Sequence, residues 1–187
     1  MGMPFNFKRL QIPDVIAINL KSFSDERGFF LESFQESTFA SNGIKTKFVQ
    51  DNISRSIKGV LRGLHYQKNP KAQAKLVTAI RGEIFDVAVD IRKGSPTFGK
   101  WIAEILSDKN HKTFYVPEGF AHGFCVLSDQ ADILYKVSND YSAENERGII
   151  WNDPILKIPW PVEKPILAKK DLELPLLIDI DNNFSYE

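Results

Sequence analysis

Few side chains in this sequence are suited to acid–base or metal chemistry. The 187 residues include 3 histidines and 1 cysteine. His65 sits in Gly59-Val60-Leu61-Arg62-Gly63-Leu64-His65-Tyr66, among apolar residues and close to two glycines, which places it on or beside a strand. His122 sits in Val116-Pro117-Glu118-Gly119-Phe120-Ala121-His122-Gly123-Phe124, where Pro and Gly make a tight turn that delivers it at the head of a strand. An imidazole titrates near neutral pH, so it can serve as a general base, an acid or a metal ligand. The same local patterns fit part-buried histidines satisfied by the backbone equally well. His111, in the polar loop from Asp108 to Lys112, reads as exposed and idle. Cys125, between Phe124 and Val126, reads as a small buried strand residue, because nothing beside it in sequence would activate a thiolate.

The two histidine segments resemble the paired motifs of the cupin superfamily. Gly59 and His65 fit the opening of the first motif, and Pro117, Gly119 and His122 fit the second. The second histidine of the first motif is replaced by Gln67, its glutamate falls near Lys71 or Ala72, and the asparagine of the second motif is Val126. A metal cupin needs about three histidines and a carboxylate converging on one ion. The resemblance therefore implies the barrel and argues against a metal.

A narrower resemblance covers almost the whole chain. In order along the sequence, the stretches Asp25 to Glu32, Gln50-Asp51-Asn52, Gly59 to Gln67, Lys75-Leu76-Val77, Gly82 to Arg92, Val116 to Phe124, Leu134-Tyr135-Lys136, Glu146 to Ile149, Trp151 to Pro154 and Lys170-Asp171 resemble the dTDP-4-dehydrorhamnose 3,5-epimerase family. Each stretch alone is a weak signal, and the ordered set is a strong one. The family is metal-free and needs no organic cofactor. The resemblance implies a dTDP-linked 4-keto-6-deoxy sugar as substrate and inversion at C3 and C5. The C–H bonds beside a ketone are acidic, so inversion requires a base, a donor at the enolate oxygen and an acid on the opposite face. By resemblance, His65 is the base, Asp171 its carboxylate partner, Lys75 the cation at the enolate oxygen and Tyr135 the acid. Without the family, Lys75 reads better as a solvent-facing strand-edge lysine and Tyr135 as a core aromatic. The resemblance further implies that Arg62, Arg27 and Lys170 hold the diphosphate. It assigns Glu32, Gln50 and Asn52 to the base, ribose or sugar, and Phe29 or Phe30 to stacking on thymine. His122 contacts the sugar or orients its neighbours, and Glu146 matches a binding position. The alternative within the family is a single-site 3- or 5-epimerase or a 4-keto isomerase.

The elements that must position these groups are mostly strands. Period-two alternation marks Lys75 to Ile80, Glu83 to Arg92, Trp101 to Leu106, Thr113 to Val116, Gly123 to Leu127 and Ile133 to Ser138, separated by Gly, Pro, Asn and Asp. In Glu83 to Arg92, Phe85, Val87, Val89 and Ile91 form the core face. Ile84, Asp86, Ala88 and Asp90 face a polar cavity or solvent, so Asp86 or Asp90 is a candidate to support the site. Glu36 to Ser41 is the best short helix, with Gly43 fit for a left-handed cap. Five prolines between Pro154 and Pro175 make the C-terminal part a loop-rich wrap. The expected fold is all-β: one cupin-type jelly-roll barrel over residues 1–187, with an N-terminal strand extension and a C-terminal segment of loops and short helices.

Composition agrees with that reading. Lys and Arg total 24, as do Asp and Glu, so the zero net charge argues against a nucleic-acid groove or a polybasic membrane patch. The lone cysteine, the mature-looking start and the lack of any long apolar run point to a cytoplasmic protein. The resemblance adds a homodimer with exchanged N-terminal strands, for which Phe5 to Phe7 and Val15 to Phe23 have the β character.

Overall fold

The computed structural model describes residues 3–186. In chain order it contains strands β1 (Phe5–Arg9), β2 (Ile16–Leu20), β3 (Phe23–Asp25) and β4 (Gly28–Phe30), helix α1 (Glu36–Ser41), and strands β5 (Gln50–Ile57), β6 (Leu61–Gln67), β7 (Lys75–Arg81) and β8 (Glu83–Asp90). Strands β9 (Trp101–Ser107), β10 (Lys112–Val116), β11 (Phe120–Val126), β12 (Gln130–Val137) and β13 (Glu146–Gly148) follow, then helix α2 (Lys169–Leu172) and a 3-10 turn at Leu177–Asp179. A six-stranded sheet of order β1-β2-β10-β7-β12-β5 faces a five-stranded sheet of order β13-β6-β11-β8-β9. The helix expected at Glu36–Ser41 and the left-handed Gly43 (φ 93°) both occur. Among the described residues no helix is long and apolar enough to cross a membrane.

Three apolar clusters hold the chain together. Between the sheets lie Val77, Ile84, Ala88, Phe114, Phe124 and Ile133. A second cluster packs Val87, Val89 and Ile91 on the outer side of the five-stranded sheet against Leu156, Trp160, Leu177 and Phe184 of the C-terminal wrap. Both faces of β8 are therefore buried, and its cavity-side face points into the barrel rather than to solvent. The third cluster lies outside the six-stranded sheet. There Phe39 of α1 is fully buried and meets Phe5, Phe7 and Phe34 edge-on at 4.8–5.2 Å. A six-residue helix is not stable alone, so this anchor, worth about 2–3 kcal/mol, fixes α1 in place.

The predicted strand ends shift where local chemistry ends the ladder. β8 stops at Asp90 because its carboxylate accepts from the Arg92 amide, Ser95 and Thr97, which turns the chain. β11 starts three residues before the expected Gly123, so His122 stands inside the strand. His111 is part-buried rather than idle. It takes a left-handed φ of 48°, its carbonyl accepts from the Leu20 amide, and its ring lies 5.1 Å from that of Phe29. Strands β1 and β2 pair with each other inside this chain's own sheet.

Candidate active site

His65 reaches the barrel interior through an irregularity. On β11, His122 and Phe124 are two residues apart, yet their partners on β6, His65 and Arg62, are three apart. One extra residue on β6 makes a bulge, which re-aims side chains. Strict alternation would put Arg62 and His65 on opposite faces, but here both line the same cavity. The bulge depends on two glycines. A Cβ on Gly63, which has φ +115°, would lie 2.6 Å from the Gly123 Cα, and one on Gly123 would lie 2.7 Å from the Arg62 carbonyl oxygen.

The cavity has a volume of about 370 Å³. The five-stranded sheet supplies Arg62, His65, His122 and Glu146, and the facing sheet supplies Ser54, Lys75 and Tyr135. The C-terminal segment closes one side. Residue Ile166 docks beside Val60 in a parallel bridge, and α2 then presents Lys170 and Asp171. A second cavity of about 350 Å³ shares His65, Lys75, Tyr135 and Glu146 with the first and extends to Gln50, Asn52, Gln73 and Tyr141.

Two histidine–carboxylate pairs stand side by side, because His65 and His122 are register partners. The His65 Nε2 lies 2.7 Å from Oδ1 of Asp171, which is 1% exposed. A carboxylate only accepts, so Nε2 carries the proton and Nδ1 is left as a basic lone pair. Burial pushes the Asp171 carboxyl up, but the hydrogen bond from His65, with that from the Gly63 amide and the charge of Lys170, outweighs this and holds it below the usual range. Likewise His122 Nε2 lies 2.7 Å from Oδ1 of Asp86, which is 0% exposed. Burial pushes His122 down against the opposing pull of Asp86, so this imidazole is neutral near pH 7.

Lys75 donates to the His65 carbonyl at 3.3 Å. Burial brings its pKa down to about 8, against opposition from Asp86 and Glu146. Burial also raises the Tyr135 phenol, which stays protonated. Lys170 grips both carboxylate oxygens of Glu146 at 3.0 and 3.1 Å. That bond and charge overcome the upward push of burial and hold Glu146 low. Among the described residues no three His, Cys, Asp or Glu side chains are grouped to hold a metal.

This arrangement delivers a base from one sheet and a protonated phenol from the other, with an ammonium beside them. The sequence model for dTDP-4-dehydrorhamnose 3,5-epimerase matches residues 9–179. The chain belongs to the dTDP-4-dehydrorhamnose 3,5-epimerase family. It is 55% identical over 177 residues to the enzyme of that name from Shigella flexneri, covering 94% of this chain and 98% of that one. A dTDP-6-deoxy-D-glucose-3,5-epimerase from Legionella pneumophila Philadelphia 1, solved with dTDP-4-keto-L-rhamnose, superposes with a TM-score of 0.92 at 52% identity over 95% of each chain. More distantly, the chain is 40% identical over 171 residues to a dTDP-4-dehydrorhamnose 3-epimerase from Streptomyces niveus, covering 91% of this chain and 83% of that one. The fold is the all-β, cupin-like jelly roll of these epimerases.

The family resemblance pointed to thirteen site residues, and ten of them line the two joined cavities. Eight line the first, and Gln50 and Asn52 line the second. Arg27, Phe29 and Glu32 line neither. Arg27 pairs with Asp25 on the exposed β3–β4 hairpin, Phe29 is 62% exposed there, and Glu32 follows just beyond. Of the two β8 aspartates, Asp86 joins the site and Asp90 serves the turn. The sequence reading missed Ser54, Gln73 and Tyr141. Ser54 continues the alternation of Gln50 and Asn52 on β5, a signal that was legible. Tyr141 lies in a loop without periodicity. Its amide donates to Gln50 Oε1 and its hydroxyl to Glu146 Oε2, both at 3.1 Å.

Proposed function

We propose that this protein epimerises dTDP-4-dehydro-6-deoxy-D-glucose at C3 and C5, giving dTDP-4-dehydro-L-rhamnose. The observation that carries the mechanism is the opposition of His65 and Tyr135 across one cavity, each from a different sheet. Nδ1 of His65 takes the proton from the carbon beside the ketone, and Asp171 balances the imidazolium that forms. The electron pair moves onto the C4 oxygen as an enolate, to which the Lys75 ammonium donates. Tyr135 returns a proton to the opposite face, and exchange with solvent resets both groups. Repetition at the second carbon completes the inversion. Arg62 and Lys170 hold the diphosphate, and Ser54, at the same cavity wall, offers a hydroxyl to it. Gln50, Asn52, Glu146 and Tyr141 frame the second cavity for the nucleoside or sugar, and His122 faces the sugar.

The working unit is a homodimer in this reading. The hairpin that carries Arg27 and Phe29 lies apart from this chain's own cavities and exposes Phe23, Phe29 and Phe30 at 40–66%. Ile53, Ile57 and Ile80 of the six-stranded sheet are also exposed. An apolar surface of this kind suits a second copy, whose cavity would receive the hairpin.

The test is turnover of the 4-keto sugar in deuterated water, read at each carbon by NMR. Deuterium at both C3 and C5 is the expected result. Label at one carbon alone would make the protein a single-site epimerase, and label at neither would end the reading.

A further inference from the structure

Among the described residues, three charged groups in or directly behind the cavity make no ion pair with an opposite full charge: Lys75, Arg62, whose guanidinium donates to the Ser56 hydroxyl at 3.1 Å, and Asp86, which stands behind His122 rather than on the cavity wall. Asp171 is paired with His65 and Glu146 with Lys170. Asp86 faces a neutral imidazole through Oδ1, and its other oxygen, Oδ2, is buried with no hydrogen-bond partner. Among the described residues Lys75 makes no ion pair, and its ammonium reaches a backbone carbonyl at 3.3 Å. A buried carboxylate oxygen left bare is strongly destabilising unless a nearby cation compensates it. Likewise, an ammonium in a dry cavity loses its proton unless an anion holds it.

We propose that Asp86 is a positioning residue whose bare oxygen keeps the Lys75 ammonium charged inside the cavity, ready for the enolate. The placement fits the charge count. Asp86 projects from β8 toward His122 on β11, and His122 is the register partner of His65, whose carbonyl Lys75 touches. The titratable and charged groups sharing the cavities with Lys75 are Arg62, His65 and Tyr66 on β6, His122 on β11, Tyr135 on β12, Tyr141 in the loop beyond it and Glu146 on β13, with Lys170 and Asp171 on α2. Burial is what lowers Lys75, and Asp86 is the leading influence that resists it, ahead of Glu146. His122 has a second part here. By donating Nε2–H to Oδ1 it orients the carboxylate without cancelling its charge.

The catalytic consequence rests on the epimerase reading, but the charge itself can be read without turnover. In full-length protein labelled with ε-13C-lysine, the Lys75 signal is assigned by its loss in Lys75→Met and then followed against pH. The expected midpoint is about 8 in the native chain. In Asp86→Asn, which keeps the shape and can still accept from His122, it should fall by about one pH unit or more. An unchanged midpoint would overturn the proposal. In kcat/KM profiles the alkaline limb of Asp86→Asn should move down with it, so the loss near pH 8 shrinks as pH falls. A loss that is equal at every pH would mean a packing role and would also overturn it. Should Asp86→Asn not fold, His122→Asn decides. With Asp86 retained, the Lys75 midpoint must hold or rise, and a fall sinks the idea. A native protein that shows the midpoints but no turnover would defeat the epimerase reading and leave this one standing.

Discussion

Replacing Asp171 by Asn tests the base. The substitution preserves size at a position that is 1% exposed, so the backbone around α2 has no reason to move. It also keeps an oxygen for the Gly63 amide, which now donates to Oδ2 at 3.4 Å. What changes is the charge facing His65 at 2.7 Å. When His65 takes a proton the pair becomes imidazolium and carboxylate. Two unit charges about 4 Å apart attract by about 4 kcal/mol at an effective dielectric constant near 20. With the proton about half transferred in the transition state, about 2 kcal/mol of that attraction is realised, a rate factor of about 30. A second effect adds to it. An amide that turns its NH2 group toward Nε2 leaves the proton on Nδ1, so the base is blocked. In other carboxylate–histidine systems this tautomer error lowers kcat by about 10⁴. The expected kcat for Asp171→Asn is therefore lower by at least about 30-fold and at most about 10⁴-fold, with KM little changed. Steady-state turnover of the 4-keto sugar, alongside a thermal melt, measures this. A kcat within threefold of the native value, or a loss confined to KM, would refute the dyad as the base.

Two other perturbations test the surroundings. Arg27→Ala and His65→Ala should each be nearly inactive alone. When the two are mixed and allowed to exchange subunits, the site pairing a native His65 with a native hairpin should restore activity, and a mixture that stays inactive would contradict a shared site. Gln67 donates to the carbonyls of Lys71 and Asp140 at 2.7 and 3.2 Å and accepts from the Ser142 amide at 2.8 Å, so it pins the loop that carries Tyr141. Gln67→Ala should cost about 2–4 kcal/mol of stability and raise KM while kcat stays within about threefold. A kcat collapse in a folded variant would show that Gln67 acts on the chemistry itself.

Much of the site was legible only through the family motifs, and the strand alternation is consistent with them. Lys75 with Val77, and Tyr135 with Ile133, sit two residues apart on their strands and enter the same cavity. Asp86 was visible as a carboxylate on the inward face of β8. The core expected on the other face of β8 is real, but it is not the barrel interior. It is a second core that exists only because the C-terminal wrap lands on it.

The sequence by itself determined the strand pattern, because a two-residue period is a property of neighbours along the chain, and the family, through an ordered set of short motifs from which the candidate site residues were carried over. Tertiary structure decided which groups meet. Asp171 reaches His65 across 106 residues only after the C-terminal segment docks beside Val60. Arg62 and His65 share a cavity only because two strands cross at Gly63 and Gly123 with one residue in excess. The hairpin bearing Arg27 stands away from its own cavity because β3 and β4 pair with each other alone and join neither barrel sheet. Each of these depends on how distant strands close on one another, and no local period encodes that.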